Sequence, residues 1–285
     1  MNRLPNHSGS AAKTTSKSSI LASNPIMRRL NKVDEYSEAD SCTYGGITAK
    51  TAFFLLFSVA GIILQLILSA QLATGKSFTI DIKGFVTELY VGETIALGVS
   101  VVLAIIFQLI AFFVKPATPV AGALYCITQG YFISFLVFKV LKGYEYLGAL
   151  ALVITMVIIL VMSILYTTGV IRVTKKFKTV MLTLFITMIS TTLLTFIGSF
   201  IPFTRPLVMS LTNNLWFSIG VSAVFIIIAA LFLICDFNTI DHAVNDHLPK
   251  KYEWQAAFGL AFTVLWLYLK VLDIIMTIAG SKNNN

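Results

Sequence analysis

Charged residues are scarce in this chain and unevenly distributed. They make up 12% of the 285 residues, whereas a soluble globular domain carries about 25%. Eleven of the 34 charges fall in residues 1–50, so only 23 are spread over the other 235 residues. A water-soluble protein with so much apolar surface would expose large hydrophobic patches. The scarcity of charge therefore excludes an ordinary cytosolic enzyme and a disordered regulator, and it indicates a polytopic membrane protein.

Cysteine and recognisable catalytic motifs are also lacking. The three cysteines, Cys42, Cys126 and Cys235, are too few for a disulfide scaffold, and we expect reduced thiols. The sequence has no Gly-rich phosphate loop, nucleophile elbow, paired-histidine motif or catalytic dyad. The polar cluster at 241–247 has a spacing that matches no strong metal-ligand motif. We therefore expect neither an enzyme nor a cofactor or resident metal.

The first residues are polar rather than apolar. Residues 1–46 are rich in Ser, Asn and Thr, and no apolar stretch follows the start as it would in a signal peptide. The sequence predicts three regions: a polar, partly flexible cytoplasmic tail (1–46), a membrane domain (47–280) and a short polar C-terminal tail (281–285).

Seven apolar stretches in the membrane domain are each about 20 residues long, the length that crosses a lipid bilayer. They lie near 51–72, 94–114, 120–138, 147–168, 179–201, 215–236 and 256–279. Only 115–119 separates the second from the third, and its two prolines, Pro116 and Pro119, predict a tight turn. The predicted fold is an all-α integral membrane protein with seven transmembrane helices.

Basic residues between the spans predict the orientation. With the N-terminus inside, the cytoplasmic segments hold 14 Lys and Arg residues and the opposite side holds 6. Cytoplasmic loops are enriched in these residues, so the count favours a cytoplasmic N-terminus. This placement also explains the net charge of +8 without a nucleic-acid partner, and the expected partner is the lipid bilayer.

Three charged residues inside or beside the last two spans are the candidate site. Lys270 and Asp273 lie in the last span, three residues apart and on one face of a helix. Asp236 lies where the sixth span is predicted to end, near its cytoplasmic edge. A charge at the bilayer centre costs about 2.5–3.5 kcal/mol, so such residues are candidates for function.

A polar stripe surrounds the two charges of the last span. Its members are Gly259, Thr263, Trp266, Lys270, Asp273 and Thr277. The stripe predicts a face turned toward the protein interior or water. Two interpretations remain open: an ion pair that only fixes helix packing, or a charge cluster lining an ion or proton path. Lys270 is expected to pair with Asp273 or with Asp236.

Several segments resemble the Bax inhibitor-1/YccA family, also called the transmembrane Bax-inhibitor-motif family, in its bacterial branch. They are Ser23–Pro25, Tyr44–Thr51, Pro119–Tyr125, Asp236–Ile240, Pro249–Trp254, Ala257–Leu260 and Trp266–Leu269. The resemblance covers roughly 22–279. It implies seven helices with the last enclosed by the other six, in the plasma membrane of a bacterium.

The resemblance also implies a function, a pH-sensitive leak for Ca²⁺. In that interpretation an Asp of the sixth helix and an Asp of the seventh share a proton, and Asp236 matches the first position. Lys270 stands where the second acid is common, and the nearest acid is Asp273, one turn on. A lysine cannot bind Ca²⁺, which takes oxygen ligands. The resemblance still implies Ca²⁺ or H⁺ as the ligand. The alternative function is that of a non-conducting regulator that binds other membrane proteins, such as a membrane-bound AAA-type protease.

Overall fold

The computed structural model describes residues 41–206, 210 and 214–283. Within them the chain forms seven long helices and one β-hairpin. The helices are α1 (Tyr44–Leu72), α2 (Val91–Phe113), α3 (Thr118–Ser134), α4 (Tyr146–Thr167), α5 (Lys175–Phe200), α6 (Leu215–Asn245) and α7 (Tyr252–Asn283). The strands are β1 (Ser77–Ile82) and β2 (Phe85–Tyr90). Most of the predicted polar tail, residues 1–40, lies outside the described residues, as do residues 284–285.

Among the residues that the structure describes, six helices are long and apolar enough to cross a membrane. Helix α5 coincides with the predicted fifth span and begins with a lysine-rich turn. Short irregular turns extend α3 at both ends. The predicted tight turn forms a 3₁₀ helix at Lys115–Ala117, and a π-helical turn follows at Phe135–Val140. The chain is thus all-α apart from its hairpin.

The β-hairpin joins α1 to α2, a connection that the sequence analysis left as a loop. Its strands pair antiparallel, from Ser77 opposite Tyr90 to Ile82 opposite Phe85. The two-residue turn consists of Lys83 and Gly84, both with positive φ (57° and 82°). This backbone matches the twist of a tight hairpin and requires residues that tolerate positive φ. The hairpin buries one face of β2 against the helices.

The helices run alternately up and down, so the bundle has two ends. The Glu253 end holds the start of α1, the turn between α2 and α3, and the connection between α6 and α7. At this end the Cys42 N–H donates to the Leu248 carbonyl at 2.8 Å. The Asp273 end holds the hairpin, the start of α2 and the π-helical turn. There Lys139 pairs with the buried Glu93 at 2.8 Å.

Helix α7 lies at the centre of the contacts. It packs against α6, α1, α4, α3 and α2, and its Trp266 ring meets Phe185 of α5 with 6.4 Å between ring centroids. Between Tyr252 and Ser281 only Ile278 is exposed. Helix α4, by contrast, exposes large apolar side chains such as Val153 and Leu160 along one face. Such an apolar outer face is what a lipid environment requires.

Helices α1 and α3 approach closely through two glycines. A Cβ on Gly130 of α3 would lie 1.9 Å from the Ser58 carbonyl oxygen of α1, and one on Gly61 of α1 would lie 2.1 Å from the Ile127 carbonyl oxygen. Small residues at helix contacts allow backbones to approach in membranes, where lipid chains are as apolar as the side chains. This contact therefore depends on the absence of a side chain at both positions.

We expect Gly130→Ala to destabilise the bundle, because its methyl group would overlap a backbone atom that cannot move independently. Overpacking of this kind costs about 1–3 kcal/mol. Thermal unfolding of the purified protein in detergent measures the effect. Gly98→Ala is the matched control, since a Cβ there meets nothing within 4 Å and alanine favours the helix. Equal unfolding midpoints for the two variants would contradict the close approach.

Candidate functional site

The predicted polar stripe of α7 faces α6. The two helices are antiparallel, so residues of α6 meet residues of the stripe in reverse order. The contacting residues are Ser222 with Asp273, Phe225 with Lys270, Phe232 with Trp266, and Asp236 with Gly259 and Thr263. We call this the α6–α7 interface. The prediction that the stripe faces the protein interior is confirmed, and all three candidate charges contact this interface.

Asp236 lies deeper in the protein than its predicted place at a helix end. The prediction was wrong because α6 continues beyond Asp236 to Asn245, more than two further turns. The Oδ1 atom lies 3.7 Å from the position a Cβ would take on Gly259, and the Thr263 hydroxyl lies beside the carboxyl group. The Oδ2 atom is buried and has no hydrogen-bond partner. Burying a carboxylate oxygen without a donor is costly, so Asp236 is an uncompensated polar group at the α6–α7 interface.

Lys270 forms neither of the two ion pairs that were expected. Among the described residues its Nζ atom is not within 4.0 Å of a carboxylate. It lies instead 4.8 Å from the centroid of the Phe225 ring on α6. The face of an aromatic ring attracts a cation, more strongly where water is excluded. The ring thus holds the ammonium group at the α6–α7 interface. Lys270 lies about 10 Å from Thr263 along the axis of α7.

Asp273 is paired, but with a residue that the sequence analysis did not consider. Lys83, in the hairpin turn, forms the ion pair with its carboxylate. The Lys83 ammonium also donates to the Thr277 hydroxyl at 2.7 Å, and the Ser222 hydroxyl donates to Asp273 Oδ2 at 2.9 Å. The hairpin therefore places a cation on the carboxylate at one end of the interface.

One signal in the sequence could have located Lys83. Residues 77–82 alternate polar and apolar side chains, and a glycine follows Lys83, which together are typical of a hairpin with a two-residue turn. A predicted hairpin places its turn at a defined distance from the helices that it joins, so that the turn can contact another helix. An irregular loop predicts no such position for Lys83. The partner itself lies 190 residues away in the chain, and no local pattern indicates a contact of that range.

A second ion pair closes the Glu253 end. Glu253, in the first turn of α7, is fully buried and pairs with Lys50 of α1. Its Oε1 atom accepts hydrogen bonds from the Thr43 N–H at 2.9 Å and the Thr43 hydroxyl at 3.2 Å. Gly46 makes room for the carboxylate, because a Cβ there would lie 2.3 Å from Oε1. We call these four residues the α1–α7 latch.

No cluster for a metal ion forms among the residues that the structure describes: no three His, Cys, Asp or Glu side chains come together. In the 241–247 segment, Asp241 accepts hydrogen bonds from the hydroxyl groups of Tyr44 and Tyr166. His242 and Asp246 pair with each other at 3.5 Å on the surface. Asp241 thereby ties α6 to α1 and α4, which is a structural contact.

Comparison with known proteins agrees with this architecture. A family model described as "Bax inhibitor 1 like" matches residues 24–280, nearly the whole chain. The chain belongs to the Bax inhibitor 1 like family. Neither a curated protein nor a solved structure showed a significant match. The family prediction made from the sequence is therefore confirmed.

Three of the segments that carried the resemblance come together in this Bax inhibitor 1 like protein, whereas Ser23–Pro25 lies outside the described residues. Tyr44–Thr51 and Pro249–Trp254 supply the two sides of the α1–α7 latch. Pro119–Tyr125 opens α3, and a Cβ on its Gly122 would lie under 3 Å from the rings of Phe54 and Phe258. Motifs that are far apart in the sequence thus form one packed region at the Glu253 end. Their shared role is to hold α1 and α3 against the start of α7.

We expect Lys50→Met to destabilise this Bax inhibitor 1 like protein strongly, because it leaves the Glu253 carboxylate buried without its cation. Breaking a buried pair by removing one partner costs about 3–5 kcal/mol. The thermal unfolding midpoint in detergent measures this, with Lys175→Met, an exposed lysine on α5, as the control. Replacing both partners, K50M/E253Q, should recover part of the loss. An unchanged midpoint for K50M would contradict the latch.

Cys42 reports on the same latch. Its burial, and then the neighbouring Glu253 carboxylate, raise the pKa of the thiol above its ordinary value. Maleimides react with the thiolate, so in a C126A/C235A background Cys42 should label slowly at neutral pH. Labelling should accelerate in K50M, because opening the latch exposes the thiol, and stay slow in K175M. Slower labelling in K50M would indicate a latch that stays closed, since loss of the Lys50 charge alone raises the pKa of Cys42 further.

Proposed function

We propose that this Bax inhibitor 1 like protein conducts or regulates cation movement across the membrane along the α6–α7 interface. One observation carries the proposal: five of the six stripe residues of α7 contact α6, and the contacting residues include two carboxylates, an ammonium group and the hydroxyl groups of Ser222 and Thr263. Charge inside a membrane is costly and marks ion pathways. A helix contact that served packing alone would consist of apolar, small and uncharged polar residues, so the three charged side chains are what distinguish this interface.

The interface has two oxygen-rich levels separated by aromatic rings. Asp273, Ser222 and Thr277 form the level at the Asp273 end, and Asp236 with Thr263 forms the other. Oxygen atoms are the ligands that Ca²⁺ takes, and carboxylates bind protons. Between the levels lie the rings of Phe232 and Trp266, 6.2 Å apart between centroids. Such an apolar constriction gates ions by excluding water.

Lys270 lies on this path between the two carboxylate levels. Its positive charge repels a cation in a narrow passage, and the repulsion energy increases as water is excluded from that passage. In the proposed mechanism Lys270 therefore limits cation passage. Protons or cations that bind Asp236 or Asp273 neutralise these carboxylates and so change the electrostatic potential at Lys270. The role proposed for Asp236, Lys270 and Asp273 is the charge and pH response of the path.

The proposal includes a topology of seven spans, with α7 enclosed by the other six and the N-terminus in the cytoplasm of a bacterium. Helix α5 runs between α4 and α6 in the alternating order, and its polar threonines bond to their own helix backbone, as Thr183 does to Thr179. Such bonding satisfies a hydroxyl group inside a membrane. The excess of Lys and Arg at the Glu253 end supports the orientation.

Ca²⁺ flux into vesicles tests the proposal. We expect wild-type protein in liposomes to admit Ca²⁺ at a rate that changes with pH, and Asp236→Asn to lower that rate about tenfold and flatten its pH dependence. The reason is the loss of a charged oxygen ligand, worth about 1.5–3 kcal/mol. Asp246→Asn, which removes an exposed carboxylate just beyond the end of the same helix, is the control and should behave as wild type. Negligible flux in all three proteins would overturn conduction.

We expect Lys83→Met to raise the Ca²⁺ flux severalfold, because it removes the ammonium group that occupies the Asp273 carboxylate. The same vesicle measurement detects the change, and K83M/D273N should lose the gain. Lys76→Met is the matched control: it removes an exposed lysine that lies just before β1. If K76M and K83M raised the flux equally, the effect would come from surface charge and not from the pair with Asp273.

A further inference from the structure

A small cavity lies at the Glu253 end, apart from the α6–α7 interface. It has a volume of about 300 Å³ and is lined by Lys115, Pro116, Lys251, Tyr252 and Gln255. The first two residues belong to the turn between α2 and α3, and the others to the start of α7 and the residue before it. Two segments that are distant in the sequence therefore build one cavity at the edge of the membrane domain.

The cavity is positively charged. The Nζ atoms of Lys115 and Lys251 lie 5.2 and 5.7 Å from the centroid of the same Tyr252 ring. Neither lysine pairs with a carboxylate among the residues that the structure describes, and no acidic residue lines the cavity. Both lysines line the cavity, so their charges add to a positive potential there that favours an anion.

Apolar surface adjoins the cavity. Phe113 and Val114 immediately precede Lys115, Val120 follows four residues after Pro116, and all three side chains are exposed, Phe113 to 80%. Ligand cavities begin at about 300 Å³, so this one admits a headgroup and not a whole lipid. A ligand with an anionic head and apolar chains would match both parts, since its chains would lie along the exposed apolar residues.

We propose that this cavity binds the phosphate group of an anionic phospholipid. Basic pockets between transmembrane helices on the cytoplasmic side bind such headgroups, and Arg or Lys with amide donors is the chemistry that phosphate requires. Lys115 and Lys251 supply the charge, and the Gln255 amide supplies a further donor. The bound lipid would connect the α2–α3 turn to the start of α7.

Native mass spectrometry of the full chain tests the site. Protein purified in detergent is mixed with phosphatidylglycerol or phosphatidylcholine, and the lipid retained is counted. We expect preferential retention of phosphatidylglycerol. Each lysine near an anionic surface contributes about a fivefold gain in binding, so K115Q/K251Q should lose roughly twenty-five-fold. Equal retention of the two lipids by wild-type protein would overturn the proposal.

The matched control is K175Q/K176Q, which removes two exposed lysines from the same end of the bundle. Its loss measures general attraction between basic residues and lipid, and the site predicts a clearly larger loss for K115Q/K251Q. Equal losses would overturn the site. Should K115Q/K251Q lose its helical circular dichroism, the single variant K251Q, at an exposed position, gives the same comparison. Full displacement of phosphatidylglycerol by inorganic phosphate would show that the ligand is a free anion, and would overturn its assignment as a lipid.

Discussion

The cost of burying charge away from water is the constraint on which this fold depends. Between Tyr252 and Ser281 only Ile278 of helix α7 is exposed, yet the helix carries Glu253, Lys270 and Asp273. Each of these groups receives a partner from a different element: Lys50 of α1, the Phe225 ring of α6 and Lys83 of the hairpin. For a buried group such as Glu253, the loss of its partner costs several kcal/mol. The polar pattern of one helix thereby determines how three other elements pack around it.

The sequence predicts the parts of this arrangement that depend on local pattern. The positions of the long helices, the turn at Lys115–Ala117 and the inward orientation of the stripe all follow from composition and periodicity, and the structure has them. The partner of Asp273 does not follow, because a contact across 190 residues leaves no local trace. The burial of Asp236 was missed for a different reason. Hydropathy ends a span where polar residues begin, whereas α6 continues as a helix through its polar last turns to Asn245, where Asp241 accepts hydrogen bonds from α1 and α4.

Helix α5 carries six threonines, whose hydroxyl groups can be satisfied within the helix. A threonine in a helix donates its hydroxyl proton to a carbonyl one turn earlier, as Thr195 does to Thr191. A threonine-rich helix is therefore less polar in a bilayer than its composition indicates. The helix also contributes Phe185 to the aromatic contact with Phe232 and Trp266, so it borders the proposed path and is not a peripheral addition to the bundle.

The two lysine–carboxylate pairs at the ends of α7 are not equivalent. The Glu253 side chain is fully buried and that of Lys50 is 17% exposed, whereas Lys83 and Asp273 are 31% and 38% exposed. Water and salt screen an exposed pair, whose net contribution is about 0–1 kcal/mol, while breaking a buried pair costs about 3–5 kcal/mol. The Asp273 end is consequently the end at which pairing can be exchanged at low cost. Because Lys83 is carried on a hairpin whose turn has its own backbone preference, its departure from Asp273 need not disturb the helices. A cation that displaces it would meet the Asp273 carboxylate and the Ser222 hydroxyl already in place.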